Sequence, residues 1–425
     1  MKILYVSGMA VPLRDILSGK NVEEVTHLPG FFQPWYRLVL RGHQIDFVVT
    51  SNYDELVNVN VDWFRRENLK ANIYNPSAEL SIFRRIPRRV KRLLRLIYHT
   101  NKALREDDYD FVICWSFFEG FVGNVIANLH GVPCGMRVMG TLTVPELRKR
   151  GPFITAFRHP VEYLSFKLRK RFLLMTDDGT NGDQLYQAWR PSRKKYDFLF
   201  WKTGVEFKTI NEISAEFKMP SSDYIFFAAR FDPWKRHDLI VEILEKLHAG
   251  GKPIHLYFAG VIQSRSHFEQ IMRRVNESGL SDYVHYLGAI PTDQLRLYAY
   301  HAVANIFMYD VSNLGNVFFE TYTSGGVVIG KNDGSLNDYI DAGHNGFIVE
   351  DTEEACRVID DILAGVIDVD SIKNAAIKDS RERCFSMNDR FDAEVALIER
   401  VVKTGATRLH ADADGIFRLK MSDLI

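Results

Sequence analysis

Short apolar runs separated by polar stretches of helical period recur along this chain, and they fall into two series. The first holds ILYVSG from Ile3, IDFVVTS from Ile45, DFVICW from Asp110, PCGMRV from Pro133 and FLLMT from Phe172. The second holds YIFFAA from Tyr224, IHLYFAG from Ile254, VHYLG from Val284, ANIFMY from Ala304, GVVIG from Gly326 and GFIVE from Gly346. Runs this short and this apolar read as strands buried on both faces. Helical patterns lie between most of them; in HDLIVEILEKLHAG, Ile240, Ile243, Leu244 and Leu247 share one face. Strands alternating with helices predict an α/β protein with doubly wound parallel sheets, which bind ligands beyond the carboxyl ends of their strands.

The polar stretch KTGVEFKTINEISAEFKMPSSD, from Lys202 to Asp223, separates the two series. It sets the expected organisation: a first domain over 1–205, a linker over 206–222 and a second domain over 223–386. A helix over 387–405 is expected to pack back on the first domain. The tail 406–425 has no strong period and is expected to be mobile. A chain of 425 residues is long enough for two cores. Charge divides in the same place. Residues 1–205 hold 31 Lys and Arg against 20 Asp and Glu, the remainder 23 against 34, so a net charge of zero hides two units suited to different partners.

No apolar run approaches the ~20 residues that span a bilayer, and ILYV after Lys2 is too short for the core of a signal peptide. Cys114, Cys134, Cys356 and Cys384 are scattered, with no CxxC pair, so neither a zinc site nor a disulfide framework is expected. A cytoplasmic location follows as the expectation.

Candidate chemistry concentrates in the second series. Its first strand runs into Arg230, and FDPWK brings Lys235 five residues later, before a helix beginning near Asp238. Two cations at the carboxyl end of a strand suit a diphosphate, Arg as a planar fork and Lys as a compact charge. The stretch VSNLGNVFFETYTSGG, from Val311 to Gly326, follows the strand ANIFMY. A helix starting at Gly315–Asn316 would aim free N–H groups at the same region, with Ser312 or Asn313 as cap and Gly315 allowing close approach. Glu320 then lies one turn deeper, placed to accept hydrogen bonds from vicinal hydroxyls. A further turn, KNDGSLNDY, offers Ser335 as an N-cap. Each feature alone also suits an ordinary capped turn.

Taken in order, Arg230-x4-Lys235, Leu287-Gly288, NLGN followed by Glu320, Gly325-Gly326 and HNGFIVED resemble glycosyltransferase family 4 from about Tyr224 to Asp351. RGHQIDFV, the TGVE at Thr203–Glu206 and the last long helix extend the resemblance more faintly. It implies the GT-B fold, two Rossmann-like domains facing across a cleft, and sugar transfer from a nucleotide donor with retention. It implies that Arg230 and Lys235 hold the donor diphosphate, that Glu320 holds the ribose, and that the Asn313-Leu314-Gly315-Asn316 turn meets phosphates and sugar. The family's sugar-contacting Glu falls at position 312, which here is Ser312. In the first half, Met139-Gly140 stands where many members have His-Gly, and the glycine-rich turn is reduced to LPGFF, leaving Gly30 as the match. TDDGTNGD brings Asp178 into the expected ligand region.

No metal site is expected, because no Asp-x-Asp pair ends a strand of the first half, and no cofactor beyond a UDP- or GDP-sugar as substrate. The segment SIFRRIPRRVKRLLRLIYHTNKALR, a helix over 87–105 after Pro87, carries the stripe Val90, Leu93, Leu94, Ile97 and Leu104 opposite Arg88, Arg89, Lys91, Arg92 and Arg95. Such a helix either packs inward or lies on the anionic cytoplasmic face of a membrane, where it would meet a lipid-linked or cell-surface glycan acceptor. A second basic cluster spans 148–172. Nucleic acid is not an expected partner, since no binding motif accompanies the charge. The alternatives to a transferase are a non-catalytic nucleotide-sugar-binding subunit, to which Ser312 and Met139 point, and a GT-B epimerase.

Overall fold

The computed structural model describes residues 1–8, 29–50, 70–74, 88–193, 195–213, 217–407, 409–420 and 423. Pro87, expected to open the basic helix, lies outside them. The chain divides into two compact units: Met1–Asp177, Asn181–Gly204 and Met387–Ile425 form the first, Asp178–Thr180 and Val205–Ser386 the second.

In chain order the first unit runs β1 (Lys2–Gly8), α1 (Pro29–Leu40), β2 (Gln44–Thr50), β3 (Lys70–Tyr74), α2 (Arg88–Glu106), β4 (Phe111–Trp115), α3 (Phe118–Leu129), β5 (Cys134–Val138), α4 (Val144–Arg158), α5 (Pro160–Lys167), β6 (Phe172–Asp177), α6 (Gly182–Trp189) and β7 (Asp197–Lys202). After β8 (Gly204–Val205) come β9 (Tyr224–Ala228), α7 (His237–Ala249), β10 (His255–Ala259), α8 (Arg265–Glu277), β11 (Val284–Tyr286), α9 (Thr292–His301), β12 (Ala304–Phe307), α10 (Asn316–Thr323), β13 (Val328–Lys331), β14 (Phe347–Val349), α11 (Thr352–Leu363), α12 (Val369–Arg383) and β15 (Phe385–Ser386). Helix α13 (Met387–Thr404) and strand β16 (Ile416–Phe417) return to the first unit.

Each unit is a parallel sheet with helices on both faces. The first sheet has the order β16-β7-β6-β5-β4-β1-β2-β3 and the second β11-β10-β9-β12-β13-β14. Side chains alternate between two cores, as the period of a strand requires. Along β1, Ile3 and Tyr5 pack beneath α1 and α13, whereas Leu4 and Val6 pack with α2 and α3 on the other face. Along β9, Ile225 and Phe227 enter the larger core, and Tyr224 and Phe226 a smaller one with Tyr298 of α9. Both faces are covered, which explains runs with no polar alternation. Helix α1 ends at Leu40, and Gly42 just beyond it, φ 80°, lets the chain turn back so that His43 N–H reaches the Leu38 carbonyl at 3.0 Å.

Three expectations need correction. Part of the tail is anchored: β16 adds a parallel strand beside β7, with Ile416 and Phe417 buried. Its apolar pair was too short to show a period. Residues 206–212 are not a free linker either, because buried Arg296 donates to the Glu206 and Lys208 carbonyls at 3.0 and 3.3 Å. Strand β7, absent from the expected set, pairs along its whole length with β6.

A further correction concerns α2. Its apolar stripe splits: Leu96, Ala103 and Leu104 are buried, while Val90, Leu94, Ile97 and Tyr98 are exposed. Arg92, assigned above to the solvated side, turns inward to pair with the buried Glu119 carboxylate. At 100° per residue, positions 96, 100, 103 and 104 form one face and 90, 94, 97 and 98 another, so the sequence stripe mixed two surfaces.

Candidate active site

The second sheet reverses its strand order between β9 and β12, which are parallel neighbours. Ligands of doubly wound sheets bind at such a reversal, outside the carboxyl ends of the strands. Both cation-bearing and glycine-bearing segments start there.

After β9 the chain exposes Arg230, and Phe231 is held by a bridge to Ile262. Pro233–Lys235 then form a short 3-10 turn closed by Arg236 in the left-handed conformation, φ 58°. Arg236 offsets that strain by donating to Asp238 and Asp310, each at 2.9 Å. The turn sets Lys235 against two rings: its Nζ lies 3.9 Å from the Trp234 centroid and 3.5 Å from that of Tyr309. Burial and the neighbouring Arg230 charge lower the Lys235 pKa to about 7, with Asp232 opposing.

After β12 the polypeptide is braced from below. The buried Asn313 side chain accepts from Tyr309 N–H at 2.9 Å and donates to Asp333 at 3.0 Å. Ser335 Oγ accepts from Asn313 N–H at 3.0 Å and is fixed in turn by Asp333 at 2.6 Å. Ser335 is therefore a brace for the turn rather than an N-cap. Ser312 Oγ donates to the Asp178 carbonyl at 2.6 Å and accepts from Leu314 N–H at 3.1 Å. One oxygen of the Asp178 carboxylate accepts from the Thr180 hydroxyl at 2.6 Å and from its N–H at 3.2 Å, so this side chain closes its own turn while its carbonyl receives Ser312.

Neither Ser312 nor Asn313 caps α10. The N-cap is Gly315, extended at φ −132°, ψ 173°, with no side-chain capping bond. A Cβ at Gly315 would meet nothing within 4 Å, so the glycine is not demanded by protein packing. The N–H groups at the start of α10, and the positive end of its dipole, are left for an anion. Leu314 and Phe318 anchor the turn from the apolar side, while Asn316 is exposed.

Glu320 lies one turn into α10. Burial pushes its pKa up to about 7, with Glu206 adding to the rise and Arg296 opposing it. Among the described residues its carboxylate has no hydrogen-bond donor. The structure thus brings together Arg230, Lys235, Ser312, Asn313, Leu314, Gly315, Asn316 and Glu320 in the second unit.

Gly30 lies in the first unit, in the opening turn of α1. A Cβ there would come within 3.2 Å of Arg137 Nη2 and 3.4 Å of Met139 Sδ. Arg137 is buried and donates to Glu394 at 3.0 Å and Thr176 at 2.8 Å, and Glu394 also pairs with buried Arg390 at 2.9 Å. Sequence reading missed this cluster, and also Trp234, Tyr309, Asp310 and Arg296, although Arg137, Trp234 and Tyr309 lay inside quoted stretches. Among the described residues no group of three His, Cys, Asp or Glu could hold a metal, and no helix is long and apolar enough to cross a membrane.

Comparison with known proteins places this geometry. Residues 209–379 match the family described as glycosyl transferases group 1. A stretch of 168 residues, 37% of this chain, is 26% identical to a GDP-mannose-dependent alpha-(1-6)-phosphatidylinositol monomannoside mannosyltransferase of Mycobacterium tuberculosis. That match spans 42% of the relative, less than half its length. Among solved structures, sucrose-phosphate synthase from Thermosynechococcus elongatus superposes with a TM-score of 0.72 at 17% identity, over 95% of this chain and 99% of its own. Anabaena HepE in complex with UDP and glucose gives 0.65 at 13%, over 94% and 99%. A glycosyltransferase from Rickettsia africae gives 0.65 at 15%, over 95% and 99%. The chain has the GT-B fold, and the unit carrying the candidate site matches glycosyl transferases group 1.

Proposed function

We propose that this protein is a glycosyltransferase of the family 4 type, moving a sugar from a nucleotide diphosphate sugar to an acceptor hydroxyl with retention of configuration. The observation that carries the reading is the placement of Arg230 and Lys235 after β9 and of the uncapped α10 terminus after β12, on the two sides of the strand-order reversal. Charge builds on the diphosphate as the glycosidic bond breaks. Two cations and a fan of amides stabilise it there without reorganising. Glu320, with no hydrogen-bond donor among the described residues, accepts from the ribose hydroxyls. Retention follows if a leaving phosphate oxygen takes the acceptor's proton on the face it departs from, which needs no protein base.

The donor base is uracil or guanine. The mycobacterial relative uses GDP-mannose and the Anabaena structure holds UDP, so both belong in the test. Incubation with a panel of nucleotide sugars, following nucleotide diphosphate release with and without glycan or lipid-linked acceptors, decides it. Release that never depends on an acceptor would sink the transferase reading. Ser312, whose hydroxyl is spent on the Asp178 carbonyl, favours a second reading, a non-catalytic nucleotide-sugar-binding subunit. In that case the panel gives binding without release.

The phosphate grip consists of cations and amides, so activity is expected to persist in excess EDTA. A strict need for added Mn²⁺ or Mg²⁺ would remove this account of leaving-group stabilisation.

The relative's phosphatidylinositol substrate supports a lipid-linked acceptor here, with the protein peripheral to a membrane. Helix α2 supplies a surface for that: Val90, Leu94, Ile97 and Tyr98 stand exposed in a helix rich in Arg and Lys. Serine at Leu94 and Ile97 should cut sedimentation with anionic vesicles several-fold while the unfolding temperature holds. Equal sedimentation would rule out α2 as the contact.

A further inference from the structure

We infer that α4 is a second, separate membrane-docking element, which inserts aromatic side chains into a bilayer containing anionic lipid. The helix is broken at Gly151, φ 78° and ψ 169°, and restarts at Pro152. Its second half is closed locally by the Thr155 hydroxyl, which donates to the Gly151 carbonyl at 2.8 Å, and is held to the unit by buried Thr155 and by Trp189, whose indole donates to the Pro152 carbonyl at 3.2 Å. Those ties leave Phe153 and Phe157, one turn apart, 88% and 87% exposed, with Ile154 at 52% between them. Large apolar side chains this exposed on a well-packed helix mark a contact surface.

Charge says which contact. Arg148, Lys149, Arg150 and Arg158 flank the aromatics along the helix, all exposed. The acid on this helix, Glu146, is already shared among Arg150 at 3.2 Å, Arg158 at 2.5 Å and His159 at 2.8 Å. Arg148 bonds to neutral Gln184, and among the described residues Lys149 has no ionic partner. The surface is thus apolar at its tip and cationic at its base, which matches acyl chains beneath a layer of lipid phosphates. A second copy of the chain would bring the same cations face to face.

Beside the aromatics lies a cavity of about 350 Å³ lined by Pro152, Phe153, Phe157, Tyr163 and Trp189, with Lys167 among its walls. It is apolar enough to take part of an acyl chain. Helix α4 also packs into the same core as α2, through Val144 and Leu147 on one and Leu96 and Leu104 on the other. Both patches therefore leave the first unit from the same face of its sheet. The inference does not depend on the transfer chemistry, which nucleotide release in lipid-free solution reports by itself.

The test uses the full chain, sedimented with vesicles of phosphatidylglycerol in phosphatidylcholine and with phosphatidylcholine alone. Wild type should bind the mixed vesicles and bind phosphatidylcholine far less. Phe153→Ser with Phe157→Ser should lower partitioning at least about tenfold without moving the unfolding temperature. Equal binding by this variant overturns the inference. So does self-association of lipid-free wild type that the variant abolishes, which would make the patch an interface between copies. If the double variant fails to fold, Lys149→Glu serves instead: binding should fall at low salt, and unchanged binding overturns the inference.

Discussion

Alanine at Arg230 or at Lys235 is expected to lower kcat/KM for the nucleotide sugar by at least tenfold, with the unfolding temperature unchanged for Arg230→Ala. A charge-assisted hydrogen bond to a phosphate is worth roughly 1.5–3 kcal/mol, which corresponds to about ten- to hundredfold. Arg230 is exposed and has no hydrogen bond or ion pair among the described residues, so its loss should fall on the donor. Lys235 also packs on Trp234 and Tyr309, so some stability is lost with it. Methionine at Lys235 separates the two effects: it keeps the packing and removes the charge. Turnover equal to wild type in either alanine variant would end the diphosphate assignment.

The second large effect is on pH. Affinity for a nucleoside diphosphate should peak near pH 7 and fall on both sides, by up to about tenfold per pH unit. The signs follow from the free protein. Lys235, lowered to about 7 by burial and Arg230, is charged below that pH. A bound diphosphate favours the charged form, so affinity is lost as pH rises above 7, and binding there takes up a proton. Glu320, raised to about 7 by burial, is charged above that pH. Hydroxyl donors favour the carboxylate, so affinity is lost as pH falls below 7, and binding there releases a proton. Calorimetry in buffers of different ionisation enthalpy reads both directions. Lys235→Arg should abolish the alkaline limb and Glu320→Gln the acid limb. A flat profile in wild type would show that neither group meets the ligand.

Much of the fold was legible because its main signal is local. Strands buried on both faces need uninterrupted apolar runs, and the runs at Ile3, Tyr224 and Ala304 became β1, β9 and β12. Strand β7 was overlooked in DFLFWK, and β16 could not be read from Ile416 and Phe417 alone. Position was legible where residue type sits next to a strand end: Arg230 and Lys235 follow β9, and Glu320 lies in α10 after β12. Role was misread where one side chain could serve several partners. Asn313 and Ser335 are good capping residues by type, and both instead brace the turn from within. Asp178 is an acid near a strand end, yet its carboxylate closes its own turn.

The sequence by itself determined the alternation of strands and helices, the division into two series, and the presence of two cations, a glycine-bearing turn and an acid in a fixed order along the second. Those properties depend on neighbours a few residues away. Tertiary structure decided the rest, because it depends on contacts between residues far apart in the chain. It set Lys235 on Tyr309, drew Arg92 inward to Glu119 and placed Arg296 against the Glu206 and Lys208 carbonyls. It also decided which apolar residues of α2 and α4 found a core and which did not. A helix offers its whole circumference, and only the sheet it settles on selects the buried face.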